Sequence, residues 1–310
     1  MEQQKFVEEQ VKEIKQAVGK GLAINALSGG VDSSVVTVLG HKAIGNQLKT
    51  FFIDNDLMRE GEPKKVVDTF NKMGIKIEVI DAKKEFLNAL KGLTDPEEKR
   101  EAITQTFYAK VFSNLVKKSK AKFLFHGTIL TDIEETVAGI KRQHNILTQI
   151  GIDTEKAYGY QVIEPLKTLR KDGVRAVAKH LGLPETISNR IPFPGPALAT
   201  RIIGEVTKER LETIRKATTI VEEELGNTGA FQYFAVLMND RATGIRNNKR
   251  EFGQVIIIRC INSIDARTAT VTELPWSTLH RITQRILEIP DVNRVCYDLT
   301  PKPPATVEYI

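Results

Sequence analysis

The stretch Ser28-Gly29-Gly30-Val31-Asp32-Ser33-Ser34 decides the fold of the first part of this 310-residue chain. The apolar run that precedes it, residues 21–27, predicts a buried strand, and the apolar residues 35–39 that follow predict the start of a buried helix. A strand, a glycine turn and a helix N-terminus together present backbone N–H groups and a helix dipole that favours negative charge. The sequence therefore predicts a phosphate-binding loop at the carboxyl end of a strand.

The side chains of this loop narrow the kind of phosphate site. The loop lacks the lysine of a Walker-type loop, so it is not of that class. The hydroxyls of Ser28, Ser33 and Ser34 add hydrogen-bond donors, while Asp32 cannot bind a phosphate on its own and is suited to Mg²⁺. The alternative is a plain strand–turn–helix corner that needs glycines only for its geometry, and the full string favours the nucleotide site.

The same string resembles the pyrophosphate-binding loop of the N-type ATP pyrophosphatases. The resemblance implies ATP as substrate, a loop that holds the β,γ-pyrophosphate, and a substrate oxygen that attacks the α-phosphate. It also implies an adenine nucleotide α-hydrolase-like fold. Related loops occur in NAD synthetase, argininosuccinate synthetase, asparagine synthetase and tRNA-modifying enzymes, so the loop alone does not select one member.

Strands and helices alternate along the first half of the chain, which predicts a doubly wound parallel sheet. In such sheets, ligands bind at the carboxyl ends of the strands. Three predicted strands end in the polar residues Ser28, Asp54 and Thr128, and Gly127 adjoins the last of these. We therefore expect these residues to contact ATP together with Gly29, Gly30, Val31, Asp32, Ser33 and Ser34.

The second half has a different pattern. A stretch rich in proline and glycine, residues 184–196, predicts a hinge, so we divide the chain into residues 1–190 and 191–310. Beyond the hinge, helices near 207–225 and 276–288 and strands near 232–237, 254–260 and 293–298 predict a smaller α+β domain. We expect this domain to have a three-stranded antiparallel sheet with one open face, and to form a homodimer through it.

Further motifs are similar to the GMP synthetase family, in the form whose glutaminase is a separate chain. They are Thr94–Arg100, Gly127–Ile129 with Asp132 and Glu134, Glu164–Lys167, Arg190–Pro196 and Lys302–Glu308. The resemblance runs from end to end. It implies that ATP adenylates O2 of xanthosine monophosphate (XMP) with release of Mg-pyrophosphate, and that ammonia then displaces AMP to give GMP.

This resemblance also implies roles for individual residues. Arg100, Lys302, Thr306 and Glu308 match positions that contact XMP, although Arg100 could equally be an exposed helix arginine and the tail a frayed coil. Three further residues match catalytic positions: Asp132, Lys141 and His144. We expect Lys141 and His144 to lie in a polar segment that forms a lid. For Lys141 and His144, a solvated loop is the open alternative.

The chain departs from the family pattern at several positions. The expected lid has Arg142-Gln143 before His144 and lacks a following pair of glycines, while the segment Thr128–Asp132 lacks a proline. Arg246 stands where the family has a glutamine, so we expect it to contact the XMP phosphate. The chain also has Ile310 in place of a glutamate. These departures lie near the lid and XMP, and they leave the adenylation chemistry intact.

Composition excludes some classes of partner. The net charge is +6 and no basic run is interleaved with aromatic residues, so we expect no nucleic-acid binding. Residues 1–20 are charged and helix-patterned, which predicts neither a signal peptide nor a membrane span. Cys260 and Cys296 lie in apolar strand patterns, which is typical of core thiols in a reducing cytoplasm and not of a glutaminase nucleophile. We therefore expect a separate glutaminase subunit to supply ammonia.

Three other functions stay open. NAD synthetase would share the loop but use another acceptor, and the proline-rich hinge and C-terminal tail argue against it. A tRNA-modifying or RNA-binding protein would need a basic face and often a cysteine pair. A diverged, catalytically weak nucleotide-binding subunit is compatible with the altered lid.

Overall fold

A computed structural model of the chain describes residues 2–137, 160–191, 193–264 and 266–309. The chain divides into two compact units. The first comprises Met1–Asp54, Glu62–Asp81 and Tyr108–Arg190, and the second comprises Asn55–Gly61, Ala82–Phe107 and Ile191–Ile310. The change of unit at residues 190 and 191 falls at the boundary used above. However, residues 55–61 and 82–107, which that division placed in the first domain, cluster with the second unit.

The helices and strands are numbered in chain order. The helices are α1 (Glu2–Val18), α2 (Val31–Ile44), α3 (Glu62–Lys72), α4 (Lys83–Leu90), α5 (Pro96–Gln105), α6 (Ser113–Ser119), α7 (Leu130–Val137), α8 (Lys171–His180), α9 (Glu185–Ser188), α10 (Lys208–Leu225) and α11 (Trp276–Leu287). The strands are β1 (Ala23–Ala26), β2 (Leu48–Asp54), β3 (Ile77–Asp81), β4 (Phe123–Phe125), β5 (Gln161–Ile163), β6 (Gln232–Arg246), β7 (Lys249–Asn262), β8 (Thr270–Val271) and β9 (Val292–Tyr297).

The first unit contains a five-stranded sheet in the order β3-β2-β1-β4-β5, with every neighbouring pair parallel. The strand order reverses beside β1, between β1 and β4. In open parallel sheets such a reversal opens a crevice outside the carboxyl ends of the strands, and ligands bind there. The predicted doubly wound α/β fold is confirmed, and the phosphate loop follows the central strand.

Helix α2 is the most buried helix of this unit, because apolar or small residues occupy almost its whole length. Ten of its fourteen residues are buried, Val35 and Leu39 completely. The helices α1 and α8 pack against it. A helix held on several sides cannot shift when a ligand binds at its N-terminus, so the loop that begins it has a fixed position.

The second unit contains a four-stranded mixed sheet centred on β7. The strands β6 and β8 pair with β7 in antiparallel fashion, whereas β9 pairs with it in parallel. The α+β architecture is confirmed, but the expected three-stranded antiparallel sheet is corrected in strand number and in the direction of β9. The hydrophobic pattern of β9 marks a strand without fixing its direction, and β8 is too short to produce a pattern.

The hairpin of β6 and β7 is also longer than predicted. Both strands extend through polar residues to a two-residue turn, where Asn247 and Asn248 have φ values of 50° and 60°. Left-handed residues at both turn positions form the type I′ geometry that matches the twist of a hairpin, and asparagine tolerates it well. The segment with Arg246 is therefore the tip of a hairpin.

The helical region from Pro96 to Ser119 is not one regular α-helix. Asp95 caps the N-terminus of α5, where its side chain accepts hydrogen bonds from the backbone N–H groups of Glu97 and Glu98 at 2.8 and 3.0 Å. A π-helical segment, Thr106–Phe112, then separates α5 from α6. Within the described ranges, no helix combines the length and the apolar character needed to cross a membrane.

Candidate active site

The phosphate loop lies between β1 and α2 and leaves the first turn of that helix open. Gly30 occupies the N-cap in an extended conformation, and none of the described side chains caps it. Ser33 Oγ instead closes the loop on itself, because it lies 2.9 Å from Ser28 Oγ and donates to the carbonyl of Gly30 at 3.1 Å. The open N–H groups of this turn can therefore bind an anion.

Gly29 is required by the backbone and by its surroundings. Its φ is +77°, a left-handed value that side chains rarely adopt, and an added Cβ would lie 3.1–3.2 Å from Val66, Arg190 and Glu62. Arg190 Nη1 donates to the carbonyl of Gly29 at 2.8 Å, and its Nη2 pairs with Glu62 at 2.5 Å. The ion pair with Glu62 holds Arg190 in place, and Arg190 in turn supports the loop through the carbonyl of Gly29.

Asp32 combines an ion pair with an unsatisfied oxygen. Its Oδ2 accepts a hydrogen bond from Lys171 Nζ at 2.6 Å, whereas its buried Oδ1 has no hydrogen-bond partner in the part of the chain that the structure describes. Burial raises the pKa of Asp32 above its ordinary 3.8, Lys171 opposes this shift, and Asp132 adds to it. A buried carboxylate with a spare oxygen is suited to a cation.

Gly127, at the end of β4, approaches this loop closely. A Cβ there would lie 3.3 Å from Asp32 Cβ and from the backbone nitrogen of Ser33. The next residue, Thr128, is 2% exposed, and its hydroxyl lies 2.6 Å from Glu164 Oε1 and 2.9 Å from His126 Nδ1. The structure thus brings the end of β4 against the phosphate loop, which the sequence predicted from strand alternation.

Asp54 and Asp132 lie at the same edge of the sheet. Asp54 ends β2 in register with Asp81 of β3 and is partly exposed. Asp132 Oδ2 accepts from the backbone N–H of Ile129 at 3.1 Å, at the start of α7. Asp132 lies close enough to Asp32 to raise the pKa of that carboxyl. The predicted catalytic residues Lys141 and His144 lie outside the described residues.

A basic cavity of about 630 Å³ adjoins the Asp32–Lys171 pair. Its lining includes Thr131 of α7 and four basic residues at the start and along the length of α8: Arg170, Lys171, Arg175 and Lys179. Asp172 also lines the cavity, and Lys171 and Arg170 pair with Asp32 and Glu134, but cations still outnumber carboxylates in the lining, which favours anionic ligands. Sequence analysis marked only a helix here and missed Lys171, because its partner Asp32 is 139 residues away.

The residues predicted to contact XMP lie in the second unit and already have protein partners. The side chain of Arg100 is 42% exposed, with its Nε 3.7 Å from Glu97 Oε1. Arg246 Nη2 donates to the carbonyl of Val292 at 2.9 Å, and its Nε lies 3.3 Å from Glu251. These contacts hold Arg246 against its own sheet.

The C-terminal tail is ordered by two buried arginines. Glu308 accepts hydrogen bonds from Arg201 at 3.3 and 3.4 Å and from Gln232, while Lys302 Nζ donates to the carbonyl of Ala266 at 2.7 Å. Arg259 donates to the carbonyl of Thr306 at 2.7 Å. Sequence analysis missed both arginines, because neither lies in a motif that marks it as buried.

Arg201 is the more unusual of these two residues. It is 1% exposed and its guanidinium lies 4.8 Å from the ring centroid of Phe193 and 4.4 Å from that of Phe234. Its Nη1 has no hydrogen-bond partner among the described residues. A buried cation with a spare donor next to Glu308 marks this part of the tail as a second polar site.

Comparison with known proteins covers the whole chain. The family profile described as "NAD synthase" matches residues 1–198, and the profile described as "GMP synthase C terminal domain" matches residues 219–309. Among similar curated proteins is one of the subunits of the "GMP synthase [glutamine-hydrolyzing]" of Archaeoglobus fulgidus, which is 51% identical over 310 residues that cover all of both chains.

Other relatives agree with this match. The same subunits from Methanocaldococcus jannaschii and Pyrococcus horikoshii are 49% and 48% identical, and each alignment covers 98% of both chains. Identity at this level over full length, together with a phosphate loop at the sheet edge and the matching C-terminal domain, shows the family. The chain belongs to this family of GMP synthase subunits, whose N-terminal part has the fold of the NAD synthase-type ATP pyrophosphatases.

Proposed function

We propose that this chain is the ligase subunit that converts XMP to GMP. ATP adenylates O2 of XMP and pyrophosphate leaves, after which ammonia attacks C2 and displaces AMP. The observation that carries the proposal is a phosphate loop in which one Asp32 oxygen has no hydrogen-bond partner among the described residues, joined in one chain to a GMP synthase C-terminal domain. NAD synthase activity would account for the loop and leave the second domain unexplained.

The first unit supplies the groups for the adenylyl transfer. The open N–H groups of α2 and the hydroxyls of Ser28, Ser33 and Ser34 bind the pyrophosphate of ATP. Lys171 Nζ donates to Asp32 Oδ2 at 2.6 Å, and in this proposal it turns from Asp32 to a phosphate oxygen when the nucleotide binds. Fixed N–H groups and a cation near the leaving group stabilise the charge that develops in the transition state.

The residues of the site fit Mg²⁺. Asp32 would hold it through the oxygen that has no partner among the described residues, and the phosphates of ATP would complete the coordination. Mg²⁺ is usually bound through one or two carboxylates plus substrate phosphates, so a single aspartate is sufficient on the protein side. When bound, Mg²⁺ would neutralise phosphate charge.

We propose that XMP binds to the residues predicted from the sequence and to two further residues. Arg100, Arg246, Lys302, Thr306 and Glu308 stay proposed contacts. Arg201 and Gln232 join them because both bind the Glu308 carboxylate. The proposal gives Asp132, Lys141 and His144 their predicted catalytic roles, with Lys141 near the α-phosphate and His144 as a proton acceptor or donor.

Ammonia comes from a separate subunit in this proposal. The names of the relatives specify one subunit of a glutamine-hydrolyzing enzyme, which implies a partner chain, and we propose that the partner is a glutaminase. Cys260 is completely buried within β7, and burial raises the pKa of its thiol. A thiol that is buried and hard to ionise is not suited to attack glutamine.

We further propose a homodimer through the second unit, and a cytoplasmic location. Ile245 and Phe252 are 80% and 61% exposed, and their positions in the register place them on the same face of the β6–β7 hairpin. Two large apolar side chains on one sheet face are a candidate for a subunit interface. Sedimentation of wild type and of Phe252→Glu would test this, since a monomeric wild type would contradict it.

The test of the function is the conversion of XMP by the purified chain. With ATP, Mg²⁺ and ammonium chloride, we expect the ultraviolet spectrum of XMP to change to that of GMP, with AMP and pyrophosphate formed in equal amounts. Hydrolysis or binding of ATP without GMP would contradict the proposal, and amidation of deamido-NAD would identify the alternative enzyme.

A further inference from the structure

His126 begins a chain of hydrogen bonds at the carboxyl edge of the parallel sheet. It directly follows β4, and its Nδ1 lies 2.9 Å from Thr128 Oγ1. The same hydroxyl lies 2.6 Å from Glu164 Oε1, just beyond the end of β5. Imidazole, hydroxyl and carboxylate thus form a relay across the ends of two neighbouring strands.

The relay fixes where the protons lie. A carboxylate oxygen can only accept a hydrogen bond, so the single O–H proton of Thr128 is donated to Glu164. Thr128 Oγ1 can then only accept from the imidazole, and His126 Nδ1 carries the proton. In a neutral imidazole with a protonated Nδ1, the other nitrogen, Nε2, has a free lone pair.

That lone pair is available to a ligand. His126 Nε2 makes no hydrogen bond with any residue in the described portion of the chain, and the ring is partly exposed. Burial lowers the pKa of His126, and the charges of Glu164 and Asp132 oppose this shift. The adjoining Gly127 contacts the loop residues Asp32 and Ser33.

We propose that His126 Nε2 accepts a hydrogen bond from an N–H or O–H group of a substrate bound at the sheet edge. The proposal rests on the proposed function, in which ATP binds at this edge and ammonia is the second reactant. The donor belongs either to the nucleotide, as an amino or hydroxyl group, or to ammonia. Thr128 and Glu164 act through His126 in this role, as residues that fix its tautomer.

Two substitutions of His126 separate this role from a structural one. In His126→Asn the amide nitrogen can replace Nδ1 and keep the contact with Thr128, but nothing replaces Nε2. In His126→Gln the longer amide reaches the position of Nε2 and presents an acceptor there. We expect His126→Asn to raise either the Kd of Mg-ATP or the KM of ammonium about fivefold to tenfold, as for one lost hydrogen bond, and His126→Gln to restore most of the loss.

The two measured constants identify the donor. Titration with Mg-ATP alone reports the nucleotide, and the KM of ammonium chloride at saturating ATP and XMP reports ammonia. His180→Asn is the matched control, since this histidine lies at the end of α8 and bonds Gln4 at 2.8 Å. The proposal would be overturned if both constants were unchanged in His126→Asn but one was raised in His126→Gln. It would also be overturned if the two variants raised the same constant equally.

A measurement on the unliganded protein tests the tautomer directly. The ¹⁵N chemical shifts of the His126 ring should show a protonated Nδ1 and an unprotonated Nε2, and Thr128→Val should shift the population towards protonated Nε2. A protonated Nε2 in the wild type would overturn the proposal. Failure of the wild type to form GMP would contradict the proposed function alone, because the ring shifts and the ATP titration do not depend on turnover.

Discussion

The phosphate-loop site of the first unit and the C-terminal tail of the second unit differ in how completely their charged groups are hydrogen-bonded within the protein. At the loop, one oxygen of Asp32 pairs with Lys171, and the other has no hydrogen-bond partner within the described ranges. In the tail, the guanidinium of Arg259 donates to Asp298 and to the carbonyls of Val307, Thr300 and Thr306 at 2.6–3.1 Å.

This difference in hydrogen bonding indicates that the charge at the loop serves ligand binding and that the charge of Arg259 serves stability. Polar groups without protein partners cost the folded state free energy and are available to a ligand, whereas fully bonded buried charges hold chain segments together. Removing charge at the loop should therefore impair activity and spare the fold. Removing the fully bonded charge of Arg259 from the tail should mainly destabilise the fold, and four substitutions or conditions test this contrast.

The largest effect is expected for Asp32→Asn. The amide cannot act as an anionic ligand for a cation, so kcat for GMP formation should fall at least about a hundredfold. Because burial already raises the pKa of this carboxyl, the neutral variant should be as stable as wild type or more stable. Asp68→Asn on the exposed face of α3 is the control, and a strongly destabilised Asp32→Asn would contradict the contrast.

For Arg259→Met, the main effect should be a loss of stability. Loss of the guanidinium leaves Asp298 and three carbonyls without their donor, which for a buried charged group costs about 3–5 kcal/mol of unfolding free energy. Urea unfolding followed by circular dichroism measures this cost. Arg294→Met, on an exposed position of β9, should change it by less than about 1 kcal/mol, and equal effects in the two variants would refute the role of Arg259.

Lys171→Met should weaken ATP binding with little change in stability. Lys171 and Asp32 are 46% and 28% exposed, and partly exposed pairs contribute at most about 1 kcal/mol. The loss of one phosphate contact should raise the Kd of ATP about tenfold. Calorimetric titration measures this constant, with Lys65→Met on α3 as control, and an unchanged affinity would remove Lys171 from the site.

The smallest effect concerns acid stability. Burial raises the pKa of Asp298, but hydrogen bonds from Thr300 and the charge of Arg259 lower it by more, so the net value lies below the ordinary 3.8. A lowered folded-state pKa contributes stability that is present above pH 3.8 and lost as the pH falls through the folded value. In Arg259→Met this contribution shrinks, so acid unfolding should begin at a higher pH. An unchanged midpoint would contradict the coupling.

The sequence predicted the first unit well because its signals are local. A strand, the glycines and an apolar helix stand next to one another in residues 21–44, and parallel alternation then places Asp54 and Thr128 at the same edge. The residues that brace or complete the site were not predictable in this way. Arg190 contacts the loop across 161 positions, and Lys171 across 139.

The second unit was predicted less well for a different reason. The outer half of the β6–β7 hairpin is mostly polar, with apolar residues such as Ile245 and Phe252 standing singly, so the sequence has no regular alternation between Asn239 and Gly253. Arg246 was interpreted as a substrate contact, and its bonds to Val292 and Leu287 depend on a pairing that periodicity cannot reveal. Lys141 and His144 stay predictions, outside the described residues.

The most direct test of the account follows one oxygen atom. XMP labelled with ¹⁸O at O2 is incubated with the purified chain, ATP, Mg²⁺ and ammonium chloride, and the AMP is analysed by mass spectrometry. If O2 attacks the α-phosphate held by the loop, every AMP formed with GMP carries one ¹⁸O. Unlabelled AMP, or ¹⁸O found in inorganic phosphate with ADP as product, would contradict adenylation at this site.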